Sequence, residues 1–378
     1  MKRRTIAALT FAVALSTVAS CASPTTAPPQ GTASGTAATS AAPRTSLPTT
    51  ATQTSRPAAT SARPTSTPTP TASLPEGTIT LAFAGDANAF ELARDSTELG
   101  LGEAGQLLAS ADFAMVNLET ALADDATGLT KQPKLYTFLT DSEFPRMLQA
   151  EGVDLVSLAN NHAMDFGVTG MQRTLAIREA SSLPMIGVGA TEDEAFAPFT
   201  TELKGRRLSV FVGNDILESN MDWRPRGGRP GVAMIKTDAG LDRLVTGVAD
   251  ARRADPDQVI VVYVHWGIDY QVCTSPRQQM IAKRLAEAGA TIVVGTHAHR
   301  VQRTTKVGDT LVAYGLGNFN FHSTRVQTRE TGVLTVTIDP SGATDHSWAP
   351  GRIVDGRPQL LTGDAKAAAL GRYQGLSC

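Results

Sequence analysis

The feature that most constrains this chain is Val259-Ile260-Val261-Val262-Tyr263-Val264, an unbroken apolar run in which every residue but the tyrosine is β-branched. Branching at Cβ costs rotamer freedom in a helix, and a run without polar alternation suits a strand covered on both faces. Strands of that kind belong to parallel or mixed sheets flanked by helices, so this stretch points to an α/β architecture. It stops abruptly at His265-Trp266-Gly267.

The same event recurs along the chain. Thr78 to Ala84 runs into Gly85-Asp86, and Phe113 to Val116 into Asn117-Leu118-Glu119. Val153 to Ala159 ends in Asn160-Asn161-His162 with Asp165 close behind, and Thr291 to Val294 in Gly295-Thr296-His297-Ala298-His299. Leu311 to Tyr314 leads into Gly315-Leu316-Gly317-Asn318-Phe319. Between these runs the spacing predicts helices over Glu98 to Ser110, Ser142 to Glu151, Thr169 to Ser181, Leu241 to Ala254 and Arg277 to Ala288. The β-rich remainder, through Val333 to Ile338, predicts a second sheet packed on the first.

In open α/β sheets ligands bind at the carboxyl ends of the strands. Here those ends carry Asp86, Glu119, Asn161 with His162, His265, and His297 with His299, among them four of the chain's six histidines. A lone buried histidine is most often a satisfied core residue, and Asp165 alone reads equally as a helix cap. Four histidines and two carboxylates in like positions point instead to a metal or acid/base site. Carboxylate, amide oxygen and imidazole suit Mn, Fe or Zn, and Mg less well, so one or two divalent ions are expected. Asp165 lies three residues from His162, where it would orient the ring and favour its protonated form, making His162 a candidate general acid. The markers of competing chemistries are missing: there is no GxSxG elbow, P-loop, HExxH or complete GxGxxG.

Outside this region the sequence changes character. Lys2, Arg3 and Arg4 precede an apolar run to Val18, followed by Val18-Ala19-Ser20-Cys21. Residues 1–21 therefore read as a lipoprotein signal peptide, with lipidation on Cys21 anchoring the protein to the outer face of the cell membrane. Residues 22–76 are almost wholly Ala, Thr, Ser and Pro and read as a disordered tether, leaving 77–378 as the folded domain. Residues 1–76 hold six basic residues and one acidic, a net of +5, so the remainder carries −7 of the whole-chain −2. An acidic domain is a poor nucleic-acid binder, and an anionic substrate would need local arginines or bound cations to reverse the field. Arg300, Arg303 and Arg325 flank the strand-end motifs and are candidates for gripping carboxylates or phosphates, with Asn318 beside them. Trp266 reads as packing beneath the site. Cys273 and Cys378 are candidates for a disulfide, and no CxxC spacing marks them as metal ligands.

Taken together, Gly85-Asp86, Asn117-Leu118-Glu119, Ala159-Asn160-Asn161-His162, His265-Trp266-Gly267, Gly295-Thr296-His297-Ala298-His299 with Gln302, and Leu316-Gly317-Asn318-Phe319 resemble the CapA family of poly-γ-glutamate capsule biosynthesis proteins. Lys134-Leu135-Tyr136-Thr137-Phe138 and Gly187-Val188-Gly189 extend the likeness, which covers roughly residues 78 to 325. That family looks like a branch of the calcineurin-like metallophosphoesterases, which implies a four-layer αββα sandwich. It also implies Asp86, Glu119, Asn161, His265, His297 and His299 as metal ligands, Glu119 bridging, and His162 as the acid. Four positions depart from the pattern: Asn88 stands where a metallophosphoesterase has histidine, Glu119 where it has aspartate, and Asp269 and Gly315 where many CapA-like chains have Glu and Ser.

The resemblance implies a lipid-anchored envelope protein that handles or processes an anionic polymer such as poly-γ-glutamate, in assembly, export or attachment, within a capsule-synthesis complex. Two alternatives stand beside it: a metal-dependent hydrolase of a phosphoester or γ-glutamyl amide bond, and a non-catalytic polymer-binding module.

Overall fold

The run Val259 to Val264 forms the strand Val259–Trp266, which occupies a central place in a six-stranded sheet. Its side chains alternate between two cores, as the period of a strand requires. Val261 and Tyr263 point into one apolar cluster with Leu81, Phe83 and Met115 of another sheet. Ile260, Val262 and Val264 point into a second, with Leu241, Leu244, Ile281 and Leu285 of two helices. Each such side chain contributes about 2 kcal/mol by leaving water, which is why an all-apolar strand selects a position between two layers.

The computed structural model describes residues 74–93, 95–218 and 222–378. The chain divides into Met1–Thr69 and Pro70–Cys378. The signal segment, Cys21 and nearly all of the tether read from the sequence lie outside the described residues. Among the described residues no helix is long and apolar enough to cross a membrane.

The six-stranded sheet runs Thr304–Val307, Thr310–Ala313, Ile292–His297, Val259–Trp266, Arg206–Asn214, Phe199–Leu203, parallel through its four middle strands and antiparallel at both edges. Facing it is a seven-stranded sheet in which Ile79–Ala87, Phe113–Leu118, Leu155–Ser157 and Met185–Ile186 are parallel neighbours. Its other half is antiparallel: Glu330–Ile338, Thr344–Val354 and Arg357–Leu360. Helices Asp238–Ala254 and Pro276–Glu287 cover the outside of the six-stranded sheet, and Glu103–Ala109 packs on the outside of the other, giving the αββα sandwich.

Local signals set the helix ends. Ser275 and Gln278 close a capping box with Pro276 at the first helical position, and the Thr237 hydroxyl accepts from Gly240 N. The stretch Glu98 to Ser110 breaks into Ser96–Leu99 and Glu103–Ala109 because Gly100 and Gly102 take positive φ between them.

Two expectations are corrected. The C-terminal strands do not build a sheet of their own; Glu330–Ile338 pairs antiparallel with Ile79–Ala87 and extends the seven-stranded sheet. A helix, Gly363–Gln374, follows them, with Tyr373 stacked 5.2 Å from Trp348. Long-range pairing decides sheet membership, and alternation within a strand carries no record of its neighbour.

Candidate metal centre

The parallel strands of both sheets end along one edge, and the polar groups gather there. Asp86 closes Ile79–Ala87 and is fully buried. Gly85 before it admits no side chain, because a Cβ would stand 1.8 Å from Gly317 O. That close approach lets Asp86 N donate to the same carbonyl at 3.1 Å. Asp86 Oδ1 accepts from Asn117 Nδ2 at 2.8 Å and Oδ2 from His297 N at 3.1 Å. His299 Nδ1 stands 3.5 Å from Asp86 Oδ2.

Asn160 and Asn161, side by side in sequence, do different work. Asn160 Nδ2 donates to Asn117 Oδ1 at 3.1 Å and Leu118 O at 2.8 Å, while its Oδ1 accepts from His162 N and Ala163 N, both at 3.0 Å. It is a brace for the loop. Asn161 Oδ1 reaches across to His265 Nε2 at 2.8 Å. His297 Nδ1 lies 3.1 Å from that same nitrogen and Glu119 Oε1 3.5 Å from it.

Glu119 is the chemical centre. It is fully buried, and neither carboxylate oxygen has a hydrogen-bond partner among the described residues. Ligand atoms of Glu119, His265 and His297 lie within 4.8 Å of one another, as do those of Asp86, Glu119 and His299. Burial, together with the charges of Asp86 and Asp269, pushes the Glu119 carboxyl well above its ordinary range. Asp86 is also raised by burial, opposed by His299. Burial holds His265 and His297 well below the usual imidazole value, their neighbouring histidines adding to the effect. Neutral imidazoles beside an orphaned carboxylate form a donor set that fits a divalent cation, and two ions sharing Glu119 fit the two groups. Asn88 is buried near this edge, its Oδ1 accepting from Phe90 N at 3.2 Å.

His162 stands beside this cluster, its Nε2 3.8 Å from Glu119 Oε1 and its Nδ1 2.7 Å from Asp165 Oδ2. Phe138 packs on the ring at 4.2 Å between centroids, and Phe138 N donates to Asp165 Oδ2 at 2.6 Å. Asp165 raises the imidazole pKa as the sequence spacing anticipates, but burial outweighs it and the net shift is downward. The ring is therefore more readily neutral than the spacing alone implies.

Two participants carried no role in the sequence reading. Lys134, 3% exposed at its side chain, sits 2.7 Å from Asp165 Oδ1 and 3.1 Å from Glu218 Oε1, and donates to Asn161 O at 2.7 Å. Asp269 places Oδ1 3.1 Å from His297 Nε2. Lys134 follows no strand end, and Asp269 lies three residues past Val259–Trp266, beyond the His265-Trp266-Gly267 motif that drew attention there.

A cavity of about 580 Å³ opens over the centre, walled in part by His162, His297, His299, Asn318, Phe138 and Tyr270. Its cations are Lys131, Lys134 and Arg325, the last over the Tyr270 ring at 4.7 Å. Arg300 and Arg303 are elsewhere, which corrects their candidacy. Arg300 borders a separate crevice with Glu330 and Arg372, and Arg303 lies over Tyr314 and donates to Ser377 O. Both follow His299 along the chain, but the positive φ of His297 and His299 turns the segment so that the imidazoles face inward and the next arginine does not. Asn318 Oδ1 accepts from His299 Nδ1 at 2.6 Å. Trp266 is fully buried, stacked on Tyr314 beneath the site. Cys273 and Cys378 form a disulfide.

A family model described as bacterial capsule synthesis protein PGA_cap matches residues 80–323, which contain every strand-end group named above. The chain belongs to this capsule synthesis family. It is 25% identical over 256 residues to the capsule biosynthesis protein CapA of Bacillus anthracis, covering 68% of this chain and 61% of that one. It is 30% identical over 212 residues to a probable polyglutamine synthesis accessory protein of Mycobacterium tuberculosis, covering 55% of each. The chain thus spans somewhat over half the length of these relatives. Among solved structures, a phosphatase from Mycoplasma pneumoniae aligns over 77% of this chain and 96% of its own, with a TM-score of 0.47 and 10% identity.

Proposed function

We propose that this member of the capsule synthesis family handles an anionic envelope polymer such as poly-γ-glutamate at a divalent-metal centre, and hydrolyses a bond within it. The observation that carries the reading is Glu119: a buried carboxylate with both oxygens unpartnered, facing His265 and His162. Leaving such a group bare costs free energy that a cation would offset.

Asp86, Glu119, Asn161, His265, His297 and His299 would hold the ion or ions, Glu119 shared between them. A bound divalent cation supplies Lewis acidity toward a substrate oxygen and toward water. The cavity walls need that charge, because Lys131, Lys134 and Arg325 are matched by Glu91, Glu218 and Asp269, with Asp86, Glu119 and Asp165 deeper. Without a cation the cavity would repel a polyanion.

His162 is the proton carrier. Asp165 occupies its Nδ1, so Nε2 alone faces the reacting bond. An anionic group entering the cavity offsets the burial that lowers its pKa; Nε2 then gives its proton to the leaving amine or alkoxide as the bond to it breaks and water adds, and the proton shed by that water restores the ring. Phe138 excludes solvent from the ring face. In this reading residues 1–21 direct export, a lipid on Cys21 holds the protein to the membrane, and the Ala/Thr/Ser/Pro segment lets the domain of residues 77–378 reach the emerging polymer within a capsule-synthesis complex.

The test is purified full-length protein loaded with Mn or Zn, incubated with poly-γ-glutamate and with a model phosphodiester. Release of new amine or alcohol ends that stops in His162→Ala supports hydrolysis. Metal-dependent polymer binding without turnover would assign the chain to a non-catalytic binding role, and metal-independent binding unaffected by His297→Ala would sink the centre altogether.

A further inference from the structure

The loop after Trp266 folds back over the metal centre instead of leaving it. Gly267 takes φ 103° and Tyr270 φ 65°, left-handed values that reverse the chain twice within four residues. The doubled turn brings Asp269 over His297, with Oδ1 3.1 Å from Nε2. The other ring nitrogen, Nδ1, is turned inward, 3.1 Å from His265 Nε2. Only one nitrogen of a neutral imidazole carries hydrogen, and the other has the lone pair a metal needs. A carboxylate on one nitrogen therefore decides which of the two is free to ligate.

The loop is held in that place from several sides. Tyr270 N donates to Ala298 O at 2.8 Å, Gln302 Nε2 to Gln271 O at 2.9 Å, and Thr274 N to Cys378 O at 2.7 Å. The Cys273–Cys378 disulfide ties the same loop to the segment that follows the helix Gly363–Gln374. Arg325 lies over the Tyr270 ring at 4.7 Å. An exposed loop with this many ties is built to keep something still, and the group it presents to the centre is Asp269.

We propose that Asp269 is the positioning residue of the metal centre: it accepts the Nε2 proton of His297 and so fixes the tautomer and ring orientation in which Nδ1 is the ligand atom. The assignment rests on the metal-centre reading above and adds to it a residue outside the strand-end set. Outer carboxylates on ligating histidines sharpen metal affinity by roughly 10–100-fold. The neighbouring His265 also has Nδ1 engaged, 3.0 Å from Thr296 Oγ1 and 3.2 Å from Asn117 Nδ2, while its Nε2 faces the centre.

The experiment is a zinc competition titration of the full-length chain, stripped with a chelator, against a fluorescent zinc chelator. Asp269→Ala is expected to bind zinc roughly 10–100-fold more weakly, and Asp269→Asn, which keeps an acceptor oxygen without the charge, to fall between. An unchanged thermal midpoint of the stripped variants shows that the fold is intact. Independently of any variant, long-range 1H–15N spectra of the zinc-loaded unaltered chain should place the His297 proton on Nε2. A proton on Nδ1, or zinc affinity of Asp269→Ala within about twofold of the unaltered chain, overturns the assignment and leaves the centre standing. Failure of the unaltered chain to bind zinc, and manganese or iron in parallel titrations, overturns both.

Discussion

Asn161 Oδ1 stands 2.8 Å from His265 Nε2, a contact between groups 104 residues apart that come from different sheets of the sandwich. Each follows an apolar strand, and each is carried to the common edge by the parallel run of that strand. The centre exists because two sheets end at one place.

The brace behind that contact is testable. Asn160 makes four hydrogen bonds in a buried position, two to each side of its amide. Asn160→Ala should destabilise the domain by roughly 3 kcal/mol, since several buried groups lose their partners at once. Urea unfolding measures this. Zinc affinity should fall with it, because Asn161 and His162 lose their support.

Glu119 should behave in the opposite sense. Its folded-state pKa is raised, so its charge penalises the metal-free fold. That penalty is absent below the ordinary carboxylate value of roughly 4.3 and grows as pH rises above it. Glu119→Gln should therefore raise the melting midpoint of the chelated protein by roughly 2 °C or more at pH 8, with a smaller gain near pH 4.5. The same variant should lose the stabilisation that added metal gives the unaltered chain, about 2.7 kcal/mol at one hundred times the dissociation constant. A variant less stable than the parent in chelator at pH 8 would contradict the raised carboxylate.

Lys134 tests the other buried charge. Its ammonium lies 2.7 Å from Asp165 Oδ1 and 3.1 Å from Glu218, with almost no exposure. Lys134→Met keeps the stem and removes the charge, leaving Asp165 paired only with His162. A loss of roughly 3 kcal/mol is expected in chemical denaturation, because the remaining carboxylate stays buried without its cation. Recovery of that loss in Lys134→Met with Asp165→Asn would confirm that the pair is the cause.

The disulfide closes a span of 105 residues. Removing it in Cys378→Ser should cost about 2–4 kcal/mol, most of it through the freer unfolded chain. Denaturation of the variant beside the reduced and the oxidised parent measures it, with the reduced parent matching the variant.

Strand runs such as Val259 to Val264, and the polar groups that end them, were legible along the chain because a period of two and an abrupt change of polarity are local properties. The histidines and carboxylates of the centre came with them. Asp269 and Lys134 were not, since one lies in an exposed loop and the other in a bend between strands, and only folding brings them to His297 and Asp165. Arg300 shows the converse: it adjoins His299 in sequence, yet the backbone turn there sends it to another crevice.

By itself, the sequence determined that apolar strands would alternate with helices and that carboxylates, amides and imidazoles would stand at the strand ends. Tertiary structure alone decided that Glu330–Ile338 joins the seven-stranded sheet, that burial outweighs Asp165 in lowering the His162 pKa, and that Glu119 has no hydrogen-bond partner among the described residues. The physical reason is the same in each case. Pairing, desolvation and hydrogen-bond satisfaction depend on which distant groups arrive nearby, and no local pattern records that.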